Sequence, residues 1–200
     1  MKLLSSKLAL VLTGCLVLSP ALADVQDSCF NCHGKDGVSP YNDIPIIAGM
    51  SAPFLTDTLK AYQDGSRYCP ETTLRAGDKK DSKTTMCVVA KGLSADDVGK
   101  LAAFFSSKKF VKPAQSPNAA LAAKGKEIHE TYCEKCHSEG GTIAADDASL
   151  LAGQWMPYLS DQFKDFTSGR RAPNKKMKVK IDQLQSADFE ALVNYYGSEK

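Results

Sequence analysis

The sequence predicts an all-α chain made of two tandem domains of one design. Three observations carry that prediction. The pattern Cys-x-x-Cys-His occurs twice, at Cys29–His33 and at Cys133–His137, 104 residues apart. At the same offset Ile47-Ala48-Gly49 meets Leu151-Ala152-Gly153, and Pro53-Phe54-Leu55 meets Pro157-Tyr158-Leu159. Lys60, Tyr62, Gly65 and Arg67 meet Lys164, Phe166, Gly169 and Arg171. One offset held over so many matches marks an internal duplication. Helix-start signals recur in both halves, and nothing alternates for long enough to suggest a sheet.

Residues 1–23 read as a secretion signal. Lys2 and Lys7 form its positive start, Leu8 to Leu18 its apolar stretch, and Ala21-Leu22-Ala23 its small-x-small cleavage site. Leu12-Thr13-Gly14-Cys15 offers a lipoprotein site as the alternative, but Leu16-Val17-Leu18 continue the apolar run past Cys15. No other segment is apolar enough to span a bilayer. Cleavage removes two lysines and no acid, leaving 23 basic against 23 acidic residues. That balance excludes a strongly basic nucleic-acid surface. Export places the chain in an oxidising compartment, the periplasm of a Gram-negative cell.

The first domain is expected over residues 24–107, a linker over 108–118 and the second domain over 119–200. Few residues precede Cys29 after cleavage, so the opening helix of the first domain is truncated. Ser94-Ala95-Asp96-Asp97 is a capping-box pattern for a helix over 98–106, with Val98, Leu101, Ala102 and Phe105 on its inner face. The linker carries Pro113 and Pro117 and spans at most about 40 Å; packed domains need much less. Residues 119–132 read as a helix leading into the second motif, weakened by Gly125. Ser186-Ala187-Asp188 opens the last helix, over 189–196. Core candidates are Leu55, Leu59, Tyr62, Val98, Leu101, Phe104 and Phe105, then Leu159, Phe163, Phe166, Leu184, Phe189, Leu192 and Tyr195.

The motifs carry the chemistry. Cys29 with Cys32, and Cys133 with Cys136, are spaced to form thioethers to the two vinyl groups of one haem each. His33 and His137 then supply an imidazole to each iron. The plainer alternative is a zinc knuckle or redox pair with a stray histidine. Two covalent haem c groups also solve a size problem, since a domain of about 80–90 residues has a small apolar core of its own. Of the remaining cysteines, Cys69 and Cys87 read as a disulfide.

The far side of each iron decides between electron transfer and catalysis. The only other histidine, His129, reads as a surface or haem-edge residue. Among the methionines, Met50 falls on Gln154 and Met156 on Ala52, so neither is shared by the halves. Met86 and Met177 occupy corresponding places and are the expected sulfur ligands; ordinary packing is the alternative. The 19 residues from Arg67 to Met86 against 6 from Arg171 to Met177 reveal a 13-residue insertion in the first domain. It contains Cys69, and Cys87 follows Met86 directly. A rival reading makes Cys87 itself the ligand and the first haem an enzyme site. Lys175, Lys176, Lys178 and Lys180 around Met177 form either a docking rim for an acidic partner or a solvated loop. Trp155, Tyr158 and Phe166 are expected near the second haem.

With these residues in place, the chain resembles two-haem class I cytochromes c of the cytochrome c4 type. Its second half is similar to the haem subunits of flavocytochrome c sulfide dehydrogenases. That likeness rests on Tyr132-Cys133-Glu134-Lys135-Cys136-His137, Leu151-Ala152-Gly153-Gln154-Trp155 and Lys175-Lys176-Met177. The resemblance implies two class I cytochrome c domains and a partner flavoprotein that oxidises sulfide at FAD. Electrons would leave to a soluble cytochrome or an oxidase, and the chain itself would do no bond chemistry. A free electron shuttle feeding a terminal oxidase, or the acceptor of a thiosulfate dehydrogenase, is the alternative.

Overall fold

The computed structural model describes residues 25–199; the secretion signal and its Cys15 alternative lie outside the described residues. The first half runs α1 (Asp27–His33), α2 (Ala52–Gln63), β1 (Thr72–Thr73), β2 (Lys83–Thr84), α3 (Met86–Lys91) and α4 (Ala95–Ser106). The second runs α5 (Ala119–Tyr132), the short turn α6 (Ser138–Gly141), α7 (Met156–Thr167), α8 (Lys175–Ile181) and α9 (Ser186–Ser198). Among the described residues the chain is all-α apart from the inserted segment. There β1 and β2 pair antiparallel, Thr72 opposite Thr84 and Thr73 opposite Lys83. Two residues per strand are too few to leave an alternating pattern in the sequence.

Local signals explain the helix ends. Ser51 caps α2 by accepting from the Phe54 N–H, with Pro53 in the first turn where its missing N–H costs nothing. Ser94 and Asp97 close the expected capping box on α4. α9 starts at Ser186, ahead of the expected residue 189, with Gln185 as its cap and the Gln185 N–H donating to Asp188 Oδ2 at 2.9 Å. This correction puts the halves in one register after the insertion. Met86 and Met177, Ser94 and Gln185, Leu101 and Leu192, and Phe105 and Tyr196 all stand 91 residues apart.

The duplication recurs as hydrogen bonds. Ile47 N–H donates to Gly37 O at 2.8 Å, and Leu151 N–H to Gly141 O at 2.9 Å. Gly49 N–H donates to Phe105 O at 2.9 Å, and Gly153 N–H to Tyr196 O at 2.7 Å. Arg67 N–H and Arg171 N–H donate to Ala61 O and Asp165 O, both at 3.0 Å.

The halves differ at their opening helices. α5 lies against α9 with backbones nearly touching, and Gly125 makes that crossing possible. α1 is only seven residues long and, among the described residues, makes no comparable crossing with α4. The α4 sequence is matched to this: where α9 buries Ala191, α4 places the exposed Lys100. Val25, Cys29 and Phe30 instead pack on a core of Met50, Leu55, Leu101, Ala102 and Phe105. The second core gathers Ile128, Leu159, Ala191, Leu192, Val193, Tyr195 and Tyr196.

The halves join by exchanging one segment each. Ile46 donates to Gln154 Oε1 at 3.0 Å and accepts from Gln154 Nε2 at 2.9 Å, with both residues fully buried. Leu150, the counterpart of Ile46, is buried in the same cluster as Met50, the counterpart of Gln154. One contact is polar and its repeat-related mate apolar, but both pair the same two positions. Gln115 of the connecting segment bonds Gln154 O and Met156 N–H, which lays residues 107–118 along this seam.

Candidate functional site

α1 carries the first motif, and its pitch sets Cys29 and Cys32 on neighbouring positions of one turn. Cys69 and Cys87 form the expected disulfide, which removes Cys87 as a free thiolate, while Cys29, Cys32, Cys133 and Cys136 are unpaired. Burial pushes the Cys29 and Cys133 thiols up. Among the described residues no three His, Cys, Asp or Glu side chains converge as a metal cage, so neither motif closes on one point as a zinc knuckle does.

His33 is buried, and its Nδ1 lies 2.9 Å from the carbonyl oxygen of Pro45. Burial lowers its pKa, so the ring is neutral. The proton then belongs on Nδ1, where it donates to Pro45, and Nε2 keeps its lone pair. His137 is lowered too, by burial first and then by the charge of His129. Its Nδ1 is buried outside hydrogen-bonding geometry; the Ser149 carbonyl, at Pro45's place in the repeat, acts on the ring in the opposite sense. Two neutral imidazoles and two unpaired thiol pairs are the donor set that covalent haem attachment requires.

The insertion reaches further than its sequence position suggests. Arg75 N–H donates to Asn31 O at 3.2 Å, and Cys32 Sγ lies 4.0 Å from Thr73 O. A Cβ on Gly77 would stand 2.7 Å from Asn31 Oδ1. Arg75 is ion-paired with Asp43 and covers the Tyr41 ring. The hairpin therefore lies on the first Cys-x-x-Cys turn, while the disulfide ties its base to α3.

Met86 is the first residue of α3, which packs on α2 and is capped by Thr85. Met177 is the third residue of α8, its N–H accepted by Asn174. Both are half-buried. Met50 and Met156 sit in the two apolar cores as packing residues. Two residues beyond each of the corresponding methionines stand Val88 and Val179, which are 65% and 61% exposed. The segment around Val179 is the lysine-rich one, where Lys178 pairs with Asp182.

The structure corrects the surface placement of His129 and adds residues that single motifs do not reveal. His129 is not on the surface: it is fully buried, bonded to Glu134 and Tyr196. Trp155 and Tyr158 belong to the seam between halves. Trp155 Nε1 donates to Ser39 O at 2.9 Å, and the Tyr158 hydroxyl accepts from Arg67 at 3.2 Å. Arg67 is buried, covers the Tyr62 ring, and otherwise donates to Thr58 and Gln162. Its counterpart Arg171 also donates to Gln162 and covers Phe166. Burial first, and then Arg67, pull Arg171 down to about 10. The repeat held a signal for these residues: Gln154 stands where the other half has Met50.

Comparison with known proteins agrees with this geometry. A family described as cytochrome c oxidase, cbb3-type, subunit III matches residues 120–195. The thiosulfate dehydrogenase electron acceptor of Thiomonas intermedia is 30% identical over 86% of this chain and 78% of its own. Cytochrome c4 of Stutzerimonas stutzeri is 30% identical over 84% and 82%. The crystal structure of reduced recombinant cytochrome c4 from Pseudomonas stutzeri superposes with a TM-score of 0.70 at 28% identity, over 88% of this chain and 95% of that one. The duplicated helical fold, the two attachment motifs and these likenesses together establish that the chain belongs to the cytochrome c4 family, electron-transfer proteins of two class I cytochrome c domains with two covalently bound haem c groups.

Proposed function

We propose that the chain is a periplasmic carrier holding one haem in each of two domains, residues 24–107 and 119–200, joined by residues 108–118. Cys29 and Cys32 bear the first haem with His33 and Met86 on its iron; Cys133 and Cys136 bear the second with His137 and Met177. Bound there, haem c supplies a one-electron couple. The protein's part is to cap both faces of each iron so that only electrons pass. The observation that carries this reading is His33, whose Nδ1 is committed to Pro45 so that Nε2 alone remains for a metal. The buried Arg67 and the half-buried Arg171 have no carboxylate ion-pair partner among the described residues, and two desolvated guanidinium groups suit the haem propionates.

Electrons come from a periplasmic dehydrogenase of reduced sulfur compounds and leave to a soluble cytochrome or terminal oxidase. The relative named as a thiosulfate dehydrogenase electron acceptor supports that donor. The lysine-rich α8 beside the exposed Val179 suits an acidic partner face. The flavoprotein partner rests on the likeness of residues 132–137, 151–155 and 175–177 to sulfide dehydrogenase haem subunits.

Near-infrared spectra of the oxidised protein test the ligation. Met86→Ala and Met177→Ala should each remove part of the methionine–iron band and lower one midpoint potential; unchanged spectra and potentials would refute it. Gel filtration separates the donors. A stable flavin-containing complex supports the sulfide dehydrogenase partner, and a lone monomer reduced by thiosulfate dehydrogenase supports the shuttle.

A further inference from the structure

The two attachment turns differ in what covers them. Asn31 and Cys32 are half-buried, whereas their counterparts Lys135 and Cys136 are exposed. The inserted hairpin makes the difference. Its strands pair antiparallel, and its turn is closed by Leu74 N–H donating to Ser82 O at 3.0 Å and Asp81 N–H donating to Leu74 O at 2.8 Å. Three contacts set it on the first turn. Arg75 N–H donates to Asn31 O at 3.2 Å, Cys32 Sγ lies 4.0 Å from Thr73 O, and Gly77 stands so near Asn31 that a Cβ would lie 2.7 Å from its Oδ1. The Arg75–Asp43 ion pair and the Cys69–Cys87 bridge tie it down further. Two-residue strands would not hold a hairpin together in water, so these ties are what keep the cover in place.

The two surfaces also differ in charge. On the hairpin the exposed Glu71, Asp78 and Asp81 balance the exposed Lys79, Lys80 and Lys83, and Lys83 pairs with Glu71 at 2.7 Å. The second turn carries Lys135, and α8 brings Lys175, Lys176, Lys178 and Lys180 to the same half, all exposed. Lys180 reaches the motif itself, its Nζ 5.8 Å from the centre of the Tyr132 ring. Of these five lysines only Lys178 has a carboxylate partner among the described residues, Asp182. A basic rim without its own counter-charges attracts an acidic protein face, and a balanced surface does not.

A thioether sulfur sits on the periphery of its haem. What covers Cys32 therefore covers that edge of the first haem, and the exposed Cys136 marks an open edge of the second. We propose that the inserted hairpin closes the first haem to protein partners, and that an acidic redox partner docks on Lys135 and the α8 lysines and exchanges electrons at the Cys136 edge alone. The first haem is then filled and emptied through the second. In each step the partner loses one electron, the second haem takes it and hands it inward, and no bond is made or broken. The inference deepens the carrier reading and rests on haem being attached at both motifs.

Site-resolved NMR of the reduced two-haem protein tests the cover. An inert gadolinium chelate in solution should broaden haem signals strongly at the Cys136 edge and weakly at the Cys32 edge. Deleting residues 69–81 together with Cys87→Ser, which gives the first half the spacing of the second, should make the two edges alike. Should that deletion fail to fold, Cys69→Ser with Cys87→Ser, which frees only the base of the hairpin, should move the Cys32 edge part of the way. Stopped-flow reduction by the hydroquinone of flavodoxin, an acidic one-electron donor, tests the docking. Lys135→Glu and Lys180→Glu should each slow the filling of both haems severalfold at low salt, and Lys80→Glu on the hairpin should leave it unchanged. Equal broadening at both edges of the parent protein, or a slowing by Lys80→Glu as large as that by Lys135→Glu, would overturn the proposal. Mass spectrometry of haem peptides is read separately: absence of haem from either motif sinks the attachment reading, whereas two attached haems with equally open edges sink the cover alone.

Discussion

Gly125 of α5 approaches α9 so closely that a Cβ placed on it would stand 2.1 Å from the carbonyl oxygen of Ala191. The same atom would lie 2.7 Å from Tyr195 Cβ. A glycine that weakens α5 by propensity thus permits the crossing that fixes where Cys133 begins. Gly125→Ala should cost roughly 1–3 kcal/mol as an overpacked contact and lower the melting temperature by several degrees. Gly99→Ala in α4 is the control: nothing lies within 4 Å of its Cβ position. It should be neutral or gain up to about 1 kcal/mol from helix propensity. Similar melting temperatures for the two variants would refute the close crossing.

Gln154 is the hinge of the seam between halves. Its removal leaves the buried N–H and C=O of Ile46 unpaired, at about 1–3 kcal/mol for each group. Gln154→Leu should therefore loosen the halves without unfolding either. Calorimetry should register two separated transitions where the parent has one; a single transition at the parental temperature would exclude this role.

The Cys69–Cys87 bridge closes a loop of sequence separation 18, worth ~3 kcal/mol in the chain-entropy model. Replacing both cysteines by serine should cost about that much, and the loss should be local. Amide exchange should quicken over residues 69–87 and around Asn31, which the hairpin covers, while α9 keeps its protection. Uniform quickening through both halves would argue against a local tether.

Burial holds His33 and His137 below the ordinary histidine value of 6.5. The unfolded chain takes up protons from that value downward, while the folded rings do not. The stabilisation is therefore complete above pH 6.5 and is lost as pH falls through the lowered folded values. Iron on Nε2, as proposed, would act in the same direction. The urea midpoint should be flat just above 6.5 and fall below it; a midpoint that rises on acidification would contradict the buried neutral rings.

Much of the site was legible because its chemistry depends on spacing along the chain. Cys29, Cys32 and His33 are local in sequence, and the repeat set the proposed ligands Met86 and Met177 apart from Met50 and Met156, which the structure places in the apolar cores. His129 was misplaced because its burial comes from α9 and from Tyr196, which lies 67 residues away. The last helix begins at Ser186 and not at Phe189; a glutamine is a poor capping residue by type, and the bond from the Gln185 N–H to Asp188 Oδ2 is not legible from residue type. The hairpin was missed because two-residue strands have no period.

The sequence by itself determined the helical class, the duplication, the haem-attachment motifs and the pairing of Cys69 with Cys87, since each follows from residue type and interval. Only the tertiary structure decided which surfaces meet: Gln154 on Ile46, the two arginines on Gln162, the inserted hairpin on Asn31, and the chain from Glu134 through His129 to Tyr196. Those contacts join atoms far apart in sequence, and their energies depend on desolvation and geometry that no interval along the chain encodes.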